Sequence, residues 1–398
     1  MKKSSIIGLL GLFAAVSLVL AAQLDPSKLP EPFATPSANN QPHVIPRPEG
    51  ASLELPKGFH VDVYAEGFDR PRFMLGGPHH EIVLTDSVEK GSVYVLQDKN
   101  HDFKIDSRQK ILTGLDRPYG LALWKNYLYV AEATSLKRYP FDSQEMKVTG
   151  NGEEIVSLKP FGKGHWTRTI LFDAKNEKFY LTVGSASNVD AGEDPMRAAI
   201  HRYNPDGSGH EVMATGVRNV IGLRWYPGTD ALWAAVQERD GLGDDLVPDY
   251  FTAIQAGGFY GWPYAYIGPH EDPRRKGEKP DLVAKAIVPD VLLGAHVAVL
   301  DVLFYTGKQF PPEYQGGAFL AQHGSWNRSQ RVGYSVRFLP FKNGRPAGAL
   351  RDFLTGFLLD PGKREVWGRP VGLFQLGDGS LLFSDDGGNK IWRISYHD

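Results

Sequence analysis

The chain has 398 residues, 42% of them hydrophobic and 23% charged, the balance of a globular protein with an ample core. A formal net charge of −2 without a basic tract argues against nucleic acid as a partner. There is no cysteine, which excludes disulfides, thiolate metal sites, a covalent c-type haem and a lipidated N-terminal cysteine.

Residues 1–22 carry Lys2 and Lys3, an apolar run from Ile6 and small residues at Ala21–Ala22, the pattern of a secretory signal peptide. Export to the periplasm or the exterior is expected, with no membrane span left after cleavage; an uncleaved anchor is the alternative, because the run is near the minimum that crosses a bilayer. Residues 23–55 are rich in Pro, Ser and Asn and read as an extended linker or a strap over the surface. Residues 56–398 form the domain proper. With 44 Gly and 28 Pro between short aromatic and β-branched runs, it reads as all-β.

One motif recurs six times from Asp69: DRPRFML, DRPYGLAL, HWTRTILF, RNVIGLRW, VAVLDVLFY and GRPVGLFQ. Each copy is followed by a strand such as IVLTD, LYVAE or LLFSDD, and most units close on a third strand such as VYVL or IWRIS. Aligned on Gly222, the equivalent positions are Phe73, Gly120, Thr169, Gly222, Asp301 and Gly372, spaced by 47, 49, 53, 79 and 71 residues. Six units of about four strands predict a six-bladed β-propeller with insertions in blades four and five. Phe59–Ala65 is expected to supply the outer strand of the last blade, closing the ring with both chain ends.

The first strand of each blade lines the channel, so residues at one repeat position converge on one axis. Four positions before the anchor stand Asp69, Asp116, His165, Arg218, Val297 and Gly368; one further on stand Arg70, Arg117, Trp166, Asn219, Ala298 and Arg369. Arg70 and Arg117, in the DRP copies, suit pairing with neighbouring aspartates, and Arg117 is also a candidate cofactor contact. His165 and Arg218 break that pattern in adjacent blades and are read as catalytic.

Residues 238–250, ERDGLGDDLVPDY, form a turn in which Gly241 and Gly243 free the backbone and Asp244, Asp245 and Asp249 add charge, an oxygen-rich setting for calcium. A second calcium candidate is DKNHDFKID, with Asp98, Asn100, Asp102 and Asp106 at EF-hand-like spacing. Phe103 stands there where the loop needs Gly, and Gln109 where it needs Glu. QHGSWNRSQR places His323, Asn327 and Arg328 near a rim, with Arg369 in the next blade. The segment 257–268, GGFYGWPYAYIG, suits either an aromatic wall for a flat ligand or a seam between blades.

Jointly, H-x-x-R-x-I-L-F at 165, VRNVIGL at 217, QERDGLGDDLVPDY at 237, GGFYGWPY at 257, QHGSWNR at 322 and WGRPVG at 367 resemble the soluble PQQ-dependent glucose and L-sorbosone dehydrogenase group. The resemblance runs from about residue 55 to the C-terminus, and GxGDDLxPDY and HGSWNR look closer to the sorbosone branch. It implies pyrroloquinoline quinone (PQQ) across the channel mouth and a calcium ion held largely by carbonyls at Asp240 and Gly241, beside Asp245. His165 matches the general base and Arg218 the arginine that stabilises charge on the quinone. Asn219 matches a neighbouring cofactor contact; Arg328 and Arg369, with Asn327, fall where the cofactor carboxylates would be held. The substrate would be a sugar or sugar aldehyde, and the electrons would leave to a separate acceptor. Three positions depart from the glucose enzyme: Ser185 replaces the aspartate that orients the histidine, Arg239 replaces a glutamine, and Val371 stands near where a second arginine would lie. A calcium-dependent lactonase using Asp69, Asp116 and Asn219, or a non-catalytic binding propeller, are the alternatives on this fold.

Overall fold

The computed structural model describes residues 25–100 and 102–397; the expected signal segment, residues 1–22, lies outside the described residues. Six antiparallel sheets stand around one axis. Their innermost strands are Pro71–Gly76, Leu121–Trp124, Ile170–Asp173, Asn219–Trp225, Val299–Phe304 and Pro370–Gln375. In blade one the order is Pro71–Gly76, Ile82–Asp86, Gly91–Gln97 and Ser107–Leu115, each strand paired with the next. The second strand is buried along its whole length, because neighbouring blades cover both its faces, whereas the outermost is largely exposed. Runs such as IVLTD therefore lack the alternation of a one-sided strand.

The core follows the same logic. Six hydrophobic clusters lie at the six seams between blades, for example Phe319, Phe338 and Phe353 of blade five against Phe383 and Trp392 of blade six. Near the axis the repeat anchor alternates. Glycine stands there in blades two, four and six, and a Cβ on Gly120, Gly222 or Gly372 would lie 2.7, 2.9 or 2.2 Å from backbone of the following blade. Blades three and five answer with polar bonds across the next seam, where Thr169 Oγ1 donates to the Ile221 carbonyl at 2.6 Å and Asp301 Oδ2 accepts from Leu373 N–H at 2.9 Å, while blade one places the buried Phe73 there. Alternating small and large residues is how a narrow ring fills its interior.

Phe59–Glu66 pairs antiparallel with Lys390–Tyr396, so the last blade is closed by the N-terminal strand as expected. Insertion in blade four falls between its third and fourth strands, and it sends Gly258–Phe259 to pair in parallel with the edge of blade three. Residues 25–55 form a strap: His43–Val44 runs parallel to Glu365–Val366, and Glu54 bridges to Thr355. Among the described residues no helix is long and apolar enough to cross a membrane.

Candidate active site

The loops entering the first strands meet at one mouth of the channel. In three blades a carboxylate at the end of the second strand holds that loop: Asp86 accepts from Arg70 N–H, Glu132 from Asp116 N–H and Asp385 from Arg369 N–H. In blade three Ser185 occupies this place and works with its backbone. Its carbonyl accepts from His165 N–H at 3.1 Å, while its own N–H donates to the Arg218 carbonyl at 2.9 Å. One residue thus ties His165 and Arg218 together across the seam.

The imidazole is held by the same residue. His165 Nδ1 lies 2.9 Å from the Ser185 carbonyl and 3.0 Å from its Oγ, and that hydroxyl already donates to Ser187 O at 2.7 Å. Both partners act as acceptors, so Nδ1 carries the proton and Nε2 keeps the lone pair. Burial, then the nearby Arg218 charge, lower the His165 pKa to about 3, so the ring is neutral throughout the physiological range. Arg168, also buried, fixes the loop by donating to the carbonyls of His165 at 2.7 Å and Thr167 at 2.8 Å.

A cavity of about 310 Å³ opens here, lined by His165, Asn188, Arg218, Asp240, His296, Trp326 and Asn327. Arg218 is buried and fully anchored: it donates to the Glu238 carbonyl at 2.7 Å, to the Asn188 carbonyl and Oδ1 at 3.2 and 3.1 Å, and pairs with Asp240 at 3.3 Å. Burial opposes ionisation of Asp240, but His296 and Arg218 outweigh it and hold the carboxyl below its usual range. Trp326 is 38% exposed, an uncovered indole at the lip.

Asn188 is a hub that sequence reasoning missed. Its Oδ1 also accepts from Asp240 N–H at 2.8 Å, its Nδ2 donates to the Asp240 carbonyl at 2.8 Å, and its own carbonyl accepts from Trp262 Nε1 at 2.8 Å. His296 was missed too; its Nδ1 accepts from Asn327 Nδ2 at 2.9 Å and its Nε2 donates to the Gly243 carbonyl at 2.9 Å. Neither sits in a repeat slot, so the alignment carried no signal for them. The aromatic segment 257–268 acts chiefly as a seam, with Tyr260, Trp262 and Tyr266 buried.

The remaining predicted residues divide. Asn327 reaches the cavity and donates to the Asp240 carboxylate. Arg328 pairs with Asp245 at 2.6 Å and Arg369 donates to the carbonyls of His323 and Gly324, and neither lines the cavity. Arg117 pairs with Asp116 and lies over Trp166, as its DRP setting suggests. Asn219 donates to Gln237 Oε1 behind the cavity wall. Arg239 is fully buried between Glu238 and Asp272.

The calcium candidates are engaged by protein donors. The Asp240 carbonyl accepts from Asn188 and from Arg274 Nη1 at 2.7 Å, a Cβ on Gly241 would lie 3.1 Å from that same Nη1, and Asp245 is held by Arg328. A carbonyl facing a guanidinium is not aimed at a cation, so the Asp240 carbonyl and the Asp245 carboxylate do not fit the cradle that the resemblance implies. In the hairpin, Asp98 accepts from the N–H groups of Asp102 and Phe103, Asn100 from Asp102, Asp102 from Lys104, and Asp106 from Lys99 and Asn100; the side chains fold the turn. Among the described residues no three His, Asp or Glu side chains converge on one point.

Comparison with known proteins places the chain. The TrAA12-like family matches residues 53–247 and 277–397. The chain belongs to the TrAA12-like family. An uncharacterized protein of Borreliella burgdorferi is 30% identical over 361 residues, 87% of this chain and 91% of that relative. A pyrroloquinoline quinone-dependent pyranose dehydrogenase of Coprinopsis cinerea is 24% identical over 64% of this chain, which spans only 43% of that protein. Among solved structures, the calcium form of Trichoderma reesei Carbohydrate-Active Enzymes Family AA12 superposes with a TM-score of 0.75 at 20% identity, covering 90% of this chain and 99% of the other. The holo PQQ domain of the Coprinopsis enzyme gives 0.73 at 21%, covering 88% and 98%. These establish the fold of the TrAA12-like chain. The two matched segments leave out residues 248–276, which include Trp262 and Arg274, so the buttress behind the cavity lies outside the matched part.

Proposed function

We propose that this TrAA12-like protein is an exported PQQ-dependent dehydrogenase that oxidises a pyranose, another aldose or a sorbosone-like sugar aldehyde and gives the electrons to a separate acceptor. The observation that carries the reading is a neutral histidine, pinned through Nδ1, beside an anchored guanidinium in one cavity. Names borne by relatives support it: one is a PQQ-dependent pyranose dehydrogenase.

The cavity fits a planar quinone in three respects. It has the size usual for small-ligand sites, an exposed indole for a flat ring, and a fixed positive charge. His165, Arg218, Trp326 and Asn327 are the residues that would hold it, and the quinone when bound supplies the hydride acceptor. His165 Nε2 accepts the proton of the substrate hydroxyl. Ser185 holds the ring so that no reorientation is needed, and Arg218 offers preorganised charge to an oxygen that becomes negative. No step is assigned to calcium, because the Asp240 carbonyl and the Asp245 carboxylate are already held by arginines.

Incubation with PQQ should give dye-linked dehydrogenase activity on a panel of pyranoses, aldoses and ketoaldehydes. Absence of both a bound-quinone spectrum and any activity would sink the reading. Of the residues that a lactonase would use, Asp116 is bonded to Arg117 and Thr134, and Asn219 to Gln237.

A further inference from the structure

Two turns form one side of the cavity, 240–245 from blade four and 325–331 from blade five. They touch within it where Asn327 donates to Asp240. Outside it they are joined around Asp244. The Asp244 carbonyl accepts from Arg328 at 2.6 Å, and its carboxylate accepts from Ser329 N–H at 2.9 Å and from the Ser329 hydroxyl. Neither turn belongs to a sheet; the Arg328–Asp245 pair and His296, bonded to both Asn327 and Gly243, also join them.

The N-terminal strap grips both. Phe33 N–H donates to the Leu242 carbonyl at 2.8 Å, and Thr35 Oγ1 accepts from Asp244 N–H at 2.7 Å. Gly243, at φ +112°, lies so close that a Cβ would be 3.0 Å from Thr35 O and Oγ1. Five residues on, Asn40 N–H donates to the Trp326 carbonyl at 2.6 Å, and Asn40 Nδ2 donates to the carbonyls of Arg328 and Ser329 at 3.0 and 3.2 Å. The buried Arg331 returns the contact, donating to Asn40 Oδ1 at 2.6 Å. Every one of these bonds ends on the two turns that carry Asp240, Trp326 and Asn327.

We propose that residues 33–40 are a clamp in which Thr35 and Asn40 are positioning residues: they set the separation of the two turns and thereby the affinity of the cavity for its quinone. The second half of this statement rests on the proposed cofactor; the first does not. Since neither residue lines the cavity or approaches His165, the clamp governs binding and leaves the proton transfer untouched.

The test uses the full chain with Thr35→Val, Thr35→Ser and Asn40→Ala. Backbone hydrogen exchange without ligand should rise about tenfold at 240–246 and 325–331 in Thr35→Val, the size expected for one lost hydrogen bond, and by more in Asn40→Ala, which loses three, with strand 232–237 unchanged and Thr35→Ser like wild type. PQQ titration should show affinity weakened by about the same factor, and kcat at saturating quinone should stay at the wild-type value. Unchanged exchange in both turns would overturn the clamp. Faster exchange with unaltered quinone affinity, or a loss in kcat instead of affinity, would overturn its link to the site. Should wild type bind no quinone, the functional proposal and the link to affinity fall together, and exchange still decides the clamp. If Asn40→Ala does not fold, Thr35→Val against Thr35→Ser carries the same comparison.

Discussion

Ser185 does with its peptide group what a carboxylate side chain was expected to do beside His165. The difference matters, because a carbonyl orients the ring without adding the negative charge that would stabilise imidazolium. Burial and Arg218 are then free to depress the pKa to about 3. Two predictions belong at this scale. Ser185→Ala removes Oγ but keeps the carbonyl at 2.9 Å, so kcat should fall less than about tenfold, in line with one neutral hydrogen bond; a loss of 100-fold would show that the hydroxyl is the true anchor. The base-competent form is the neutral one and is populated above about pH 3, so kcat/KM should show no acid limb near 6.5. An inflection at 6–7 that disappears in His165→Gln would contradict this.

At the scale of elements, the turn 238–245 shows what a sequence can and cannot convey. Its glycines and aspartates announced a built turn at the rim, and that is where it lies. What each aspartate does depends on partners far along the chain: Arg274 and Asn188 for the Asp240 carbonyl, Arg328 for Asp245, Ser329 for Asp244. Charge in a turn marks a site without saying whether a cation or an arginine answers it. The same holds for Arg239, read as an altered ligand position and found enclosed between two carboxylates. Because protein donors occupy these groups and those of the 98–106 hairpin, the melting temperature of the quinone-free protein should be the same in EDTA and in millimolar calcium. A rise of several degrees with calcium would reveal a bound ion that stabilises the fold.

For the whole molecule, the repeat was legible because six copies of one motif had to solve one packing problem. The anchor alignment also contained the alternation of glycine with larger residues, whose meaning emerges only when adjacent innermost strands are seen backbone to backbone. His165 and Arg218 were legible as breaks in a repeat; Asn188 and His296 were not, since they lie in loops outside it. Acid stability is set at this scale. Burial lowers His165 to about 3 and His201 and His323 to about 4, so between those values and 6.5 the unfolded chain binds protons that the native one does not. Stability therefore falls as pH drops from 6.5 towards 4. Asp249, raised by burial to about 7, opposes this with the opposite sign, as do Asp301 and Asp385, also raised by burial, and His296, raised because burial is outweighed by Asp240. Thermal melts should give a lower Tm at pH 5 than at pH 7.5; a flat or inverted dependence would contradict the buried-histidine account. The role of His165 as the base is tested by following quinone absorbance in stopped flow after mixing PQQ-loaded protein with sugar. Wild type should bleach the quinone rapidly, and His165→Ala, saturated with quinone, should reduce it about 100-fold or more slowly. Equal rates in the two proteins, or no bound quinone in wild type, would contradict the assignment.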